Sequence, residues 1–175
     1  MSEVTSRGDE PATQHQRLHS GVTQLEAIIS AASDREWLRR PAAQGWSLAE
    51  LTAHVTEMLP YWSGQVAAVA RSATAKPAFG RTHEDPDRLA AVQRGSASDR
   101  LEALDRLRIA RAEAETTLAS VPPDGWSSVG VHSRRGPMTA AEILDQFLVE
   151  HVREHVGQAE RIHHAVADLS ADQNG

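Results

Sequence analysis

Leu18, Val22, Leu25, Ile29 and Ala32 recur three and four positions apart. That spacing draws one apolar stripe along a helix predicted over residues 12–33. Gly21 should weaken this helix locally, and Pro41 and Gly45 mark the connection after it. A second helix starts sharply. Ser47 is an N-cap, Glu50 three residues later closes a capping box, and Trp46 with Leu51 fits a hydrophobic staple. Leu48, Leu51, Val55, Met58 and Leu59 then form its apolar side. Pro60 should kink or end it before helix resumes to about Val69. Residues 71–84 read as loop. Asp85 caps a helix with Pro86 at its first position, Gly95 and Ser96 interrupt it, and helix continues from Asp99. Leu101, Leu104, Leu107, Ala114 and Leu118 are its buried candidates, and Pro122, Pro123 and Gly125 stop it. Trp126 to Pro137 is a second long connection, in which Val129 and Val131 suit a brief extended pairing.

The last helix repeats the opening of the second, with Met138 stapled to Ile143, Thr139 as cap and Glu142 closing the box. Leu144, Phe147, Leu148, His151, His155, Gln158 and Ile162 share one face, which should point inward. The pattern thus predicts four main helices in one domain over residues 12–167. The segments 1–11 and 168–175 read as disordered tails.

Composition supports helix packed on helix. Of the 175 residues 40% are hydrophobic but only 4% aromatic, so Leu, Ile, Val and Ala must fill the core. The net charge of −6 and the lack of a basic run argue against nucleic acid and against an anionic membrane surface. No apolar run approaches the roughly 20 residues a membrane span needs. The polar segment 1–13 has no signal-peptide core, so a cytoplasmic location is expected. The chain has no cysteine, hence no disulfide, thiolate ligand or thiol nucleophile of its own.

Candidate chemistry lies in the histidines. His151 and His155 stand one helical turn apart on one face and can grip one ion, while His54 on another helix completes a three-imidazole set with an open position. Nine histidines make a chance pair at this spacing unremarkable, and hydrogen-bonded core histidines are the alternative. Neutral imidazoles on an apolar face need partners, which favours the ion. Among the other candidates, Gln158 suits either an orienting partner for His155 or a packing amide. Glu57 reads as a solvated carboxylate before it reads as a base, and Arg134 and Arg135 as a solvated pair before an anion clamp. His15 and His19 read as chance, His163 and His164 as surface, and Trp62 and Trp126 as packing residues.

The segment Gly45-Trp46-Ser47-Leu48-Ala49-Glu50-Leu51 leading to His54, with His151-Val152-Arg153-Glu154-His155-Val156-Gly157-Gln158, resembles the DinB/YfiT-like superfamily. Its members carry GW[ST]-x-x-[DE]-L-x-x-H on one helix and H-x-x-x-H-x-G-Q on a late one. The resemblance spans roughly residues 18–162. It implies an all-α four-helix bundle with up-down-down-up connectivity, and a divalent metal, usually zinc or nickel, held by His54, His151 and His155. Many relatives carry a second histidine where this chain has Glu154, but the three ligand positions are intact. The resemblance also implies an enzyme transferring a low-molecular-weight thiol, of the mycothiol or bacillithiol type, to an electrophilic small-molecule substrate. Metal-assisted hydrolysis, a non-catalytic metal or small-molecule binder, and a metal-free helical interaction protein are the alternatives. A homodimer through a bundle face is compatible with such a fold, and no stripe in the sequence marks one.

Overall fold

In a computed structural model of the chain, residues 9–41, 45–72 and 75–171 are described. The elements are α1 (Asp9–Ala31), α2 (Asp34–Trp37), α3 (Leu48–Ala70), β1 (Ala78–Phe79), α4 (Pro86–Ser96) and α5 (Arg100–Ala119). A 3₁₀ turn (Pro123–Ser127) leads to β2 (Val129–His132) and β3 (Gly136–Thr139). A last rod follows, made of α6 (Ala140–Leu144), a π segment (Asp145–Val149) and α7 (Glu150–Ala171).

The boundaries follow the capping chemistry. Ser47, Asp85, Asp99 and Thr139 each accept a hydrogen bond from the backbone N–H three residues on, and Glu50 and Glu142 close their boxes. Several expectations need correction. Helix α1 starts at Asp9 rather than residue 12, because Pro11 in the first turn has no N–H to leave unpaired. It stops at Ala31, since Ser33 caps the separate α2 with Glu36. Helix α7 reaches Ala171, past the expected end at 167, while segments 1–8 and 172–175 of the expected tails lie outside the described residues. Pro60 does not end α3, which runs unbroken from Leu48 to Ala70. Leu59, Trp62 and Val66 are buried on either side of the proline, so packing outweighs the one lost backbone bond.

Polar pairs along the rods report the topology. From α1 to α5, His19 meets Glu115, Thr23 meets Arg111 and Glu26 meets Arg108, so these two helices run antiparallel. From α1 to α7, Arg17 meets Glu150 and Gln24 meets Glu160, so these run parallel. Trp46 beside His155, His54 beside His151 and Trp62 beside Phe147 make α3 antiparallel to the last rod. Trp37 Nε1 donates to the Ser98 carbonyl before α5, and Arg71 after α3 reaches Ser120 after α5, so α3 and α5 run parallel. The result is an up-down-down-up four-helix bundle. Its parallel step from α3 to α5 needs the long crossover that carries β1 and α4.

Helix α3 is buried nearly all round and forms the centre of the bundle. Leu104, Leu107, Ala114 and Leu118 of α5 face it, whereas Leu101, expected to be buried, is 63% exposed and Ala103 and Ala110 take the inner positions. Gly21 does not break α1. A methyl there would sit 2.9 Å from Val152 Cγ1, so the glycine lets α1 and α7 approach closely. Among the described residues no helix is long and apolar enough to cross a membrane.

The extended pairing expected near Val129 and Val131 is a three-stranded patch. Strand β2 pairs antiparallel with β3 and parallel with β1, which lies in a segment whose sequence predicts loop. Two residues carry too little periodicity to reveal β1. Gly130 lies where this patch meets the bundle. A Cβ there would fall 2.7 Å from Val69 Cγ2, 2.8 Å from Phe79 Cδ1 and 3.2 Å from the Pro77 carbonyl. Gly130→Ala should therefore destabilise the protein by about 1–3 kcal/mol through overpacking. Chemical denaturation measures this, and a neutral or stabilising result would show that the patch is not fixed against α3.

Candidate metal centre

Two antiparallel rods bring three imidazoles together. Helix α3 supplies His54 seven residues after its cap, and α7 supplies His151 and His155 one turn apart. One ligand nitrogen from each ring lies within 4.8 Å of the other two, close enough to hold one metal ion. His54 Nε2 and His151 Nε2 are 3.2 Å apart. Two imidazole nitrogens on one tetrahedral ion at about 2.0–2.1 Å stand about 3.3 Å apart, so this edge already has the right length.

The π segment decides where the α7 histidines point. Its Glu150 N–H donates to the Asp145 carbonyl, five residues back. The extra residue rotates the following helix by about 100° relative to a regular continuation. The inward stripe from the end of this segment onward is Val149, Val152, Val156 and Ala159, all buried. His151 and His155 are half-buried at its flank, rather than on the stripe itself as their spacing suggests. His54 is 5% exposed. The site therefore has a closed side on α3 and a side that solvent can reach.

Each ring has a defined neighbourhood. His155 Nδ1 donates to Gln158 Oε1 at 3.0 Å, which leaves the Nε2 lone pair directed into the cluster. That Nε2 is buried and has no hydrogen-bond partner. An orphaned acceptor of this kind costs free energy unless something binds it, and a cation fits the donor set. Trp46 stacks on His155, with centroids 6.1 Å apart and planes 9° apart, and presents an edge to His54 at 5.3 Å. Arg88 of α4 places Nη2 3.4 Å from His54 Nδ1.

All three imidazoles titrate below the ordinary histidine value. Burial lowers His54 most, to about 3, with further depression from His155 and Arg88. Burial takes His151 to about 4, helped by His155 and Arg88. Burial also lowers His155, against the hydrogen bond it donates to Gln158, which raises it. The rings are therefore neutral at physiological pH, the state a metal requires. Of the other candidates, Glu57 is not a solvated carboxylate. It is half-buried in an ion pair with Arg81, whose guanidinium also lies 3.7 Å from the centre of the Tyr61 ring. Arg134 and Arg135 form the β2–β3 turn, where their backbone N–H groups donate to His132 Nδ1. Arg135 also reaches Gln146 and Phe147 rather than the imidazoles. His15 packs edge-on against Trp126 and His19 bonds Glu115, both from α1. Trp62 stacks on Phe147 at 4.2 Å, a packing role as expected. His164 is exposed, but His163 is half-buried with Nδ1 enclosed, because α7 packs on α2 there. Sequence reasoning missed Arg88 and gave Trp46 only a stapling role. A tryptophan just before the cap was the available signal for the second, and nothing local marked the first.

The sequence matches the DinB superfamily over residues 17–159, and the chain belongs to that superfamily. No curated protein matches it. Among solved structures it resembles YfiT from Bacillus subtilis, described as a probable metal-dependent hydrolase with an unusual four-helix bundle topology. The TM-score is 0.74 at 13% identity, over 95% of this chain and 93% of that one. It also resembles the mycothiol-dependent maleylpyruvate isomerase, with a TM-score of 0.61 at 14% identity, over 89% of this chain. A mutant of that isomerase gives 0.62 at 15% identity. The chain covers 59% of the isomerase's length.

The lowered imidazole values set a sign for stability. The unfolded chain binds protons from about pH 6.5 downward, while the folded rings resist protonation to about 3 for His54 and about 4 for His151. Between these limits acid favours the unfolded state. Chelator-treated protein should lose thermal stability as pH falls from about 6.5 toward about 4, and His54→Asn should lose less over that interval. Equal pH slopes in the two proteins would mean that His54 is not buried as a neutral ring.

Proposed function

We propose that this chain is a metal-dependent enzyme in which His54, His151 and His155 hold one divalent ion, zinc or nickel. In this reading it transfers a low-molecular-weight thiol, of the mycothiol or bacillithiol type, to an electrophilic small molecule. The observation that carries the reading is the convergence of three neutral imidazoles with one ligand nitrogen, His155 Nε2, left without a partner. Three neutral ligands leave the ion its full charge, which favours the ionised form of a thiol or water brought to it. Gln158 fixes the tautomer and direction of His155. Trp46 packs against His155 and His54 on one side of the site. With no cysteine in the chain, the thiol must come from outside.

Hydrolysis is the second reading, favoured by the full-length likeness to YfiT. Activating water for hydrolysis benefits from a nearby general base. The carboxylate nearest that role in sequence, Glu57, is engaged by Arg81. An ionised thiol needs no such base, and this weighs toward thiol transfer. A fourth protein ligand, which a closed structural staple usually has, is absent from the histidine cluster among the described residues. A cytoplasmic location, a small-molecule substrate without nucleic acid, and homodimer formation belong to the same reading.

Tag-free protein should retain one equivalent of metal, and Gln158→Leu should lower its affinity about 10–100-fold. Metal-loaded protein should consume a low-molecular-weight thiol in the presence of electrophiles, with no comparable ester or amide hydrolysis. Hydrolysis without thiol consumption would reverse the ranking. Protein without metal after tag-free purification, and unable to take it up, would remove the proposal.

A further inference from the structure

The hydrogen bonds around His54 fix a tautomer that ligation through its Nε2 would reverse. An arginine side chain only donates, so Arg88 Nη2 at 3.4 Å requires a bare lone pair on His54 Nδ1. Neutral His54 then carries its proton on Nε2, and Nε2 donates to His151 Nε2 at 3.2 Å. The chain is self-consistent. His151 accepts, and His155 keeps its proton on Nδ1 toward Gln158. His151 and His155 thus already offer Nε2 lone pairs to an ion, and His54 alone does not.

A metal held through His54 Nε2 would place that ring's proton on Nδ1, with no change in total protonation. Nδ1–H and the Arg88 guanidinium would then be two donors face to face, and Arg88 would have to turn its Nη2 elsewhere. What remains near it does not use its charge. Arg88 Nη1 donates to the His83 carbonyl at 2.8 Å, and no carboxylate of the described residues forms an ion pair with it. Arg81, the other cation beside His54, differs in this. It is ion-paired with Glu57 and Asp85 and lies over the Tyr61 ring, so its charge is already answered. Asp85, which accepts from the Arg88 backbone N–H, also links Arg81 to the start of α4. That clamp sets Arg88 over the cluster.

A divalent ion with three neutral ligands, beside a half-buried guanidinium without a counter-charge, makes a strongly cationic site. The planar fork of arginine matches a carboxylate in two hydrogen bonds. We infer that Arg88 is a specificity-determining residue, released from His54 when the ion binds and then engaging a carboxylate on the molecule brought to the ion. This rests on the metal reading above. It narrows the substrate class to ligands that carry an anionic group beside the atom nearest the metal.

The experiment uses full-length protein, zinc, and two small thiols of nearly equal shape, mercaptoacetate and its neutral amide, 2-mercaptoacetamide. Calorimetry gives the zinc affinity of wild type, Arg88→Ala and Arg88→Lys, then the affinity of each zinc-loaded protein for both thiols. Arg88→Ala should bind zinc more tightly, because a competing hydrogen bond and a like charge are gone. It should also lose roughly tenfold of the preference for acid over amide, with the amide affinity unchanged. Arg88→Lys, which keeps the charge without the fork, should fall between the two. A preference for the acid that is the same in wild type and Arg88→Ala, or zinc affinity that does not rise, overturns the inference while the metal site stands. Failure of wild-type protein to bind zinc or nickel sinks the metal reading and this inference together.

Discussion

A neutral imidazole has one donor and one acceptor, and burying it costs free energy unless both find partners. This constraint governs the interface between α3 and α7. His54 and His151 answer it by meeting each other, and His155 answers it with Gln158 on one nitrogen and with nothing on the other. The bundle spends buried surface on three rings that an apolar trio would fill at less cost. That expense makes sense when the unpaired nitrogen is a ligand. Membership of the DinB superfamily and the likeness to YfiT agree with such a site without specifying what it does in this chain.

The scaffold around the rings is built to hold their direction. Ser47 and Glu50 fix the start of α3 two turns before His54, and Thr139 and Glu142 fix the start of the last rod. The π segment then rotates α7, so that its valines face the core and its histidines face α3 at the edge of the bundle. A straight α-helix from Thr139 would place one set or the other wrongly. The widened turn lets a single rod serve both the core and the site, in keeping with the frequent occurrence of π turns at functional positions.

The crossover between α3 and α5 supplies what the rods cannot. Two parallel neighbours need a long connection. This one lays α4 against α3 and ties its start down through Arg81, Glu57 and Tyr61. Arg88 comes to the imidazoles by that route. The topology therefore does more than close the bundle, because it brings a cation to a site whose rods offer only neutral ligands.

Local chemistry made much of this legible in the chain itself. Caps, prolines and the three-and-four spacing act over a few residues. They located the four rods and the three imidazoles together with Gln158, and put the break before α5 at Gly95 and Ser96, just ahead of its place at residues 97–99. Other features depend on residues far apart in sequence. The π turn is an adjustment between packing on α1 and packing on α3, and no periodicity within seven residues announces it. Leu101 and Ala103 exchanged places in burial because the neighbours of α5, rather than its own pattern, choose its inner face. Glu57 became half of a half-buried ion pair, and Arg88 reached His54, only after a crossover returned over α3. Sequence fixes which groups can ionise, ligate or cap, because those are properties of single residues and their near neighbours. Their meeting in space is settled by packing, where the free energy of many distant contacts outweighs any local preference.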